Sequence, residues 1–286
     1  MTQRIARRLV LLFALFATGS GGLGAAEHAR RLTDGWEHYQ GSLGSTWEVW
    51  RGEAASDNVA WTPVTLPHCF NARDAVDPDV RYYQGPGWYR TRLAIDAPFP
   101  NGRTLVHFDG AGQRSQVFVG TELVGEHLGG YDEWTVDITE AAARVLAKES
   151  AKGQVPLAVM CDNSRDAESV PSDLSDFNRY GGLYRHVRMV QVPAISIERV
   201  HVEPRLEDGK AVVKARARVY NPGRLQDPLD VTIEFRDPEG VVVHEETRRL
   251  SPWEGEREIA DCTIAAPRLW SPATPSLYRC TVTLAS

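Results

Sequence analysis

The sequence predicts an all-β protein made of two successive sandwiches, and three observations carry that expectation. Short stretches alternate apolar with polar residues, and turn-forming pairs such as Asn101–Gly102, Asp109–Gly110 and Glu239–Gly240 separate them. Long amphipathic stretches are almost absent. A composition of 42% hydrophobic and 24% charged residues over 286 positions is that of a packed globular chain with room for about two domains, which argues against disorder, coiled coil and fibre.

The chain opens with Arg4, Arg7 and Arg8, continues as the apolar run Leu9 to Ala17, and reaches Gly24 and Ala26 at the −3 and −1 positions of a cleavage site. Residues 1–26 therefore read as a secretory signal peptide, and the apolar run is about half the ~20 residues a helix needs to cross a bilayer. The expected mature protein is soluble, and secreted or periplasmic. Gly19, Gly21 and Gly24 satisfy G-x-G-x-x-G by chance, with no strand before them and no helix after. The formal charge is −6, and since the first 26 residues hold three arginines and no acid, the remainder is more acidic still. That argues against nucleic acid as a partner.

Residues 27–193 form the first expected domain. Tyr89, Thr91, Leu93 and Ile95 share one face of a strand and Arg90, Arg92 and Ala94 the other, after which Asn101–Gly102 turns the chain into the strand Thr104 to Asp109. One short helix is expected from about Thr139 to Lys148, with Asp137 and Glu140 spaced like a capping box. The second domain, 194–286, has a simpler pattern: Val213, Ala215, Ala217 and Val219 inward, Lys214, Arg216 and Arg218 outward. The same alternation recurs at Val231, Ile233, Phe235 and at Tyr278, Cys280, Val282, Leu284, which fits a small immunoglobulin-like sandwich. Four cysteines, none spaced as C-x-x-C, are too sparse for a disulfide scaffold or a common zinc or redox motif. Cys262 and Cys280 both point inward, leaving open a disulfide after export or two buried thiols.

Two polar loops in the first domain are too long for hairpins. Pro67 to Gly87 mixes Asn71, Arg73 and Asp74 with Tyr82 and Tyr83; Asn163 to Gly182 reads NSRDAESVPSDLSDFNRYGG. Carboxylates, amides and guanidinium groups beside aromatic rings suit a sugar, whose hydroxyls take hydrogen bonds and whose C–H face packs on a ring. Any one of these residues equally suits a solvated loop or an Asx turn. The residues alone specify no reaction: carboxylate pairs such as Asp173 and Asp176 are more often solvated than catalytic, there is no G-x-S-x-G or H-E-x-x-H, and the eight histidines lack ligand spacing.

At these loops the sequence resembles the amino-terminal region of glycoside hydrolase family 2, in its β-galactosidase and β-glucuronidase branches. The motifs run in order through Asp34, Gly35, Trp36; Leu66, Pro67, His68 and Asn71; Tyr83 with Gly87, Trp88, Tyr89, Arg90; and Phe108, Asp109, Gly110. They continue through Val117, Phe118, Val119; Gly125, His127, Gly129, Gly130, Tyr131; and Asp137, Ile138, Thr139. Asp162, Asn163, Ser164, then Phe177 and Gly181, Gly182, Leu183, Tyr184, Arg185, and finally Leu269, Trp270, Ser271, Pro272 with Leu277, Tyr278, complete the set.

The resemblance implies a jelly-roll, galactose-binding-like domain followed by an immunoglobulin-like sandwich. In the family a (β/α)₈ barrel then carries both catalytic glutamates, the acid/base within an Asn-Glu pair. No asparagine here precedes a glutamate, so no catalytic residue is assigned and the chain is expected to be inactive alone. By resemblance, Asp176 contacts the terminal sugar and a sodium ion, and Asn71 also touches substrate. The expected partner is a β-galactoside or related carbohydrate. The second sandwich is expected to lack its last strand, which invites self-association through the exposed edge or docking of a separate catalytic-barrel chain. A free-standing carbohydrate-binding module is the alternative.

Overall fold

The computed structural model describes residues 13–14, 28–51, 60–96, 99–170, 172, 174 and 177–285. The chain is nearly all β and divides into two units between Val192 and Pro193. The signal-peptide segment lies outside the described residues except for Phe13–Ala14, and among those described no helix is long and apolar enough to cross a membrane.

The first unit is a sandwich of two antiparallel sheets. The larger runs Thr62–Val64, Trp36–Gln40, Pro86–Ala94, Gln154–Asp162, Arg114–Val119, Glu122–Leu128 in spatial order. The smaller runs Trp134–Asp137, Arg103–Phe108, Val187–Val192, His28–Arg31. Side chains that alternate along each strand meet between the sheets, where Trp36, Tyr89, Phe108, Leu157 and Val187 are buried. Tyr89, Thr91 and Leu93 face this core.

The opposite face of the strand Pro86–Ala94, which carries Arg90, Arg92 and Ala94, is partly covered as well. Trp88, Phe118, Ala158 and Val49 form a second, smaller core, with Tyr39, Leu43, Trp50 and Trp61 packed against it. Arg90 is buried there: its guanidinium lies 4.2 Å from the Trp61 ring, donates 2.7 Å to Glu37 Oε2 and 2.6 Å to the Val49 carbonyl. A charge pointing away from the main core is thus paired and covered by chain that arrives from elsewhere in the sequence. Arg92, further along the same face, remains exposed and stacks on Trp50 at 5.2 Å.

The helix forms where expected but is shorter, Thr139–Leu146, with Ala141 and Ala142 in the core. The capping box is absent. Asp137 Oδ1 instead accepts from Thr139 N at 2.9 Å and from Thr139 Oγ1 at 2.5 Å, an Asx turn, while Glu140 pairs with Arg144 one turn on. Asp137 sits one residue too early, because Ile138 occupies the N-cap position to bury its side chain.

The second unit packs the sheet Ser196–Glu207, Lys210–Tyr220, Gly255–Ile264 against the sheet Tyr278–Ala285, Leu229–Arg236, Val242–Leu250. Val213, Ala215, Ala217, Val219, Val231, Ile233 and Phe235 are fully buried between them. Lys214, Arg216 and Arg218 face out and pair with Asp261, Glu203 and Glu198. Val282 and Leu284 are only half-buried. Phe13–Ala14 runs parallel to Tyr278–Arg279; among the described residues no strand pairs with that outer edge from Cys280 to Ala285. Cys262 and Cys280 are free thiols, as are Cys69 and Cys161. Burial pushes the Cys262 thiol up to about 11 and the Cys280 thiol up to about 12.

Replacing Arg90 with Ala removes the stacking, the ion pair and a buried carbonyl's donor together, and is expected to lower unfolding free energy by about 2–4 kcal/mol. Arg218→Ala, which loses a surface pair, is expected to cost less than about 1 kcal/mol. Urea denaturation of the two variants checks the contrast; equal midpoints would mean the Arg90 cluster carries no stability.

Candidate functional site

The two long loops leave the same end of the large sheet and are joined at their roots. His68–Cys69 pairs with Gly182–Leu183 as a two-stranded ribbon, and Phe70 N donates to the Gly181 carbonyl at 3.1 Å. Beyond the ribbon the backbone groups have no ladder to join, and a buried unpaired N–H or C=O is costly. Two asparagine side chains meet that demand.

Asn71, 1% exposed, donates from Nδ2 to the Arg179 carbonyl at 2.8 Å and to Asn178 Oδ1 at 3.0 Å. Its Oδ1 accepts from Gly181 N at 2.8 Å and from Cys69 Sγ at 3.4 Å, and Asn178 Nδ2 returns to the Asn71 carbonyl. Asn163, 0% exposed, donates to the carbonyls of Tyr83 and Arg179, both at 2.8 Å, and accepts from Gly85 N at 2.9 Å. The Arg179 carbonyl therefore takes both amides, one rooted in each loop. An amide side chain is suited to this task because it offers two donors and an acceptor in one plane.

The first loop is braced further by Asp74 Oδ2, which accepts from Tyr83 N at 2.7 Å, and by Tyr83 Oη, which donates to the Pro86 carbonyl at 2.9 Å. Phe70 packs edge-on to Tyr83 and lies flat against His38. This ring sits so close to the glycines that a Cβ on Gly181 would fall 2.2 Å from it. Gly182, at φ +113°, would place a Cβ 2.3 Å from Tyr89 Oη, so backbone conformation and space both demand glycine.

Beneath the loops His38, His68 and Tyr89 form a tight group. His68 Nδ1 lies 2.9 Å from Tyr89 Oη, and the two imidazole centroids are 4.9 Å apart. Burial, then the neighbouring His68, lowers the His38 pKa to about 4; burial lowers His68 as well and raises Tyr89 well above its usual range. The group is neutral at pH 7.

The outward face of the loops carries Val76, Val80 and Tyr82 from the first, and Val170, Leu174, Phe177 and Tyr180 from the second, all exposed. Arg73 is exposed beside them. Of the two residues expected to meet substrate, Asn71 is placed inside the loop junction with every hydrogen-bonding position of its amide engaged by the chain, and Asp176 lies outside the described residues, as does Asp173. Asn163 and Arg179, singled out only as parts of motifs or loops, are the residues that organise the junction; the signal was Asn163 directly after the strand ending at Asp162 and Arg179 just before Gly181–Gly182. Among the described residues no three His, Cys, Asp or Glu side chains gather as a metal site. A separate groove of about 740 Å³ lies on the first unit between Asp34, Glu37, Trp50, Arg90 and Arg92.

Residues 37–193 match the model of the glycosyl hydrolases family 2 sugar binding domain, and residues 195–286 match a second model of glycosyl hydrolases family 2. The chain belongs to glycosyl hydrolase family 2. It superposes on the crystal structure of a Parabacteroides merdae β-glucuronidase with a TM-score of 0.85 and 46% identity, covering 91% of this chain and 34% of that one. A putative β-glucuronidase of Formosa agariphila is 30% identical over 80% of this chain and 27% of its own length. A β-galactosidase of Thermoanaerobacter pseudethanolicus is 28% identical over 80% of this chain and 30% of its own. The chain thus spans about a third or less of each of these three relatives.

Asn163→Asp puts a carboxylate oxygen against two carbonyl oxygens and is expected to cost about 2–4 kcal/mol despite unchanged shape, read from the urea midpoint. A second expectation concerns pH. Because the folded His38 pKa of about 4 lies below the unfolded 6.5, the unfolded chain binds the extra proton; stability is complete above pH 6.5 and falls by up to about 3 kcal/mol as pH drops toward 4. Melting from pH 7.5 to 4.5 should show that fall, reduced in His38→Phe; identical slopes would refute the assignment.

Proposed function

We propose that this chain is the sugar-recognising front part of a secreted family 2 glycosidase of the β-galactosidase or β-glucuronidase type, and that it does not cleave glycosides by itself. The parent reaction is retaining hydrolysis of a terminal β-glycosidic bond. One observation carries the reading: in a unit matched to the family's sugar binding domain, buried amides fix two polar loops whose outward face is aromatic and apolar. Rings held outward at low entropic cost suit the C–H face of a sugar. Asn71 then acts by positioning the loops, and contact with the sugar falls to the outward residues and to Asp176. A sodium ion beside Asp176 belongs to the proposal by resemblance alone and is assigned no step.

A second reading, a subunit that completes a separate catalytic-barrel chain, is favoured by the exposed Val170, Leu174 and Phe177, since apolar side chains clustered on a loop suit a covering partner. Export of the chain completes the proposal, and a free-standing carbohydrate-binding module is the alternative to it.

Purified chain is expected to release no nitrophenol from 4-nitrophenyl β-glucuronide or β-galactoside, while titration calorimetry with the parent sugars gives a measurable heat. Turnover without a helper chain would sink the non-catalytic reading; absence of any heat would sink sugar recognition. Co-purification with a barrel-bearing polypeptide, with turnover restored, would select the second reading.

A further inference from the structure

The sheet Tyr278–Ala285, Leu229–Arg236, Val242–Leu250 has two outer edges. The one along Tyr278–Ala285 is partly taken by Phe13–Ala14, and from Cys280 to Ala285 it carries no charge that could select a register. The other is the free side of Val242–Leu250, a strand that among the described residues pairs only with Leu229–Arg236. Outward peptide groups on such an edge are a template for another strand, and the side chains decide which. A register shift leaves Val243 unpaired, so the straight part of the strand is His244 to Leu250. Thr247 stands at its middle, with Glu245 and Glu246 on one side and Arg248 and Arg249 on the other.

This strand is its own electrostatic complement. Two antiparallel copies related by a twofold axis oppose only residues of like parity, because the pleat sends alternate side chains to opposite faces. With the axis at Thr247, Glu246 lies opposite the second copy's Arg248 on one face and Glu245 opposite its Arg249 on the other, and the whole straight segment overlaps. Moving the axis to Glu246 sets that residue against itself and His244 against Arg248; moving it to Arg248 sets that residue against itself. In-register parallel pairing opposes every charge to its own kind. Opposite charges across a strand pair stabilise it and like charges destabilise it, so the charges that guard this edge still admit one register. The groups are within reach. Glu245, Arg248 and Arg249 are exposed and Glu246 is half-buried. Glu246 pairs with Arg248 at 2.5 Å and Arg249 with Asp230 at 3.0 Å, contacts that a second copy extends into a network rather than breaks. We propose that this chain forms a twofold-symmetric dimer by edge-to-edge pairing of Val242–Leu250, the two sheets joining into one across Thr247. Such a dimer stands or falls independently of sugar recognition.

Sedimentation velocity of the full chain is expected to show a dimer at low salt that weakens as salt rises. Reversing the acids, Glu245→Arg with Glu246→Arg, or the bases, Arg248→Glu with Arg249→Glu, leaves each strand with one sign of charge and is expected to give monomers. An equimolar mixture of the two variants is expected to restore the dimer, which variants that failed to fold could not do. Thr247→Cys, an exposed change that leaves the charges alone, reads the register. With oxidised glutathione the two thiols meeting on the axis are oxidised to one disulfide between copies while the glutathione disulfide is reduced to two thiols, and the unsubstituted chain gives no such crosslink. A chain that is monomeric throughout overturns the proposal, as do dimers that persist in both single-sign variants or a mixture of folded variants that stays monomeric. Dimers in which Thr247→Cys never crosslinks overturn the axis at Thr247 and the edge assigned to it.

Discussion

A chain that leaves a sheet must still satisfy its peptide groups, and here two asparagine amides do that for both long loops at once. Asn71 and Asn163 lie inside the first unit with their donors converging on a single carbonyl, that of Arg179. Each amide substitutes for a missing strand neighbour, so the loops behave as extensions of the sheet without continuing its ladder. The shape of the outward face, and with it any recognition of a ligand, is inherited from these few buried bonds.

What lies under the amides is a group of packed rings. Phe70, His38, His68 and Tyr89 fill the space between loop roots and sheet, and the glycines at 87, 181 and 182 admit that packing because no side chain would fit. In such a place imidazoles stay uncharged, since ionisation would have to be solvated by rings. Sequence, packing and protonation state are therefore one constraint: aromatic residues next to glycines, with histidines that remain neutral.

The sandwiches were legible from local alternation. Tyr89, Thr91 and Leu93, or Val213 through Val219, declare their face two residues at a time, because burial on a strand repeats with period two. Arg90 was not legible, since the Trp61 ring and the Val49 carbonyl that cover it come from distant chain. Asp137 misled for a related reason: its spacing to Glu140 fits a capping box, and only the burial of Ile138 shifts the helix start. Among six asparagines nothing local distinguishes Asn71 and Asn163 as braces, because their partners lie on the opposite loop or, for Asn163 and Arg179, at the far end of the same one. Tyr82 and Tyr83, adjacent and alike in sequence, part ways in space, the first exposed and the second tied to Pro86. Family motifs marked the neighbourhood of the junction but not the role of each member.

The separation of brace from outward surface has an evolutionary corollary. Because the course of both loops is determined by amides, glycines and rings that face inward, Val76, Tyr82, Leu174 and Phe177 are free to vary without rerouting the backbone that displays them. The brace thus fixes the route of the backbone and leaves the projecting side chains open to exchange, so two chains could share this interior and present unlike surfaces.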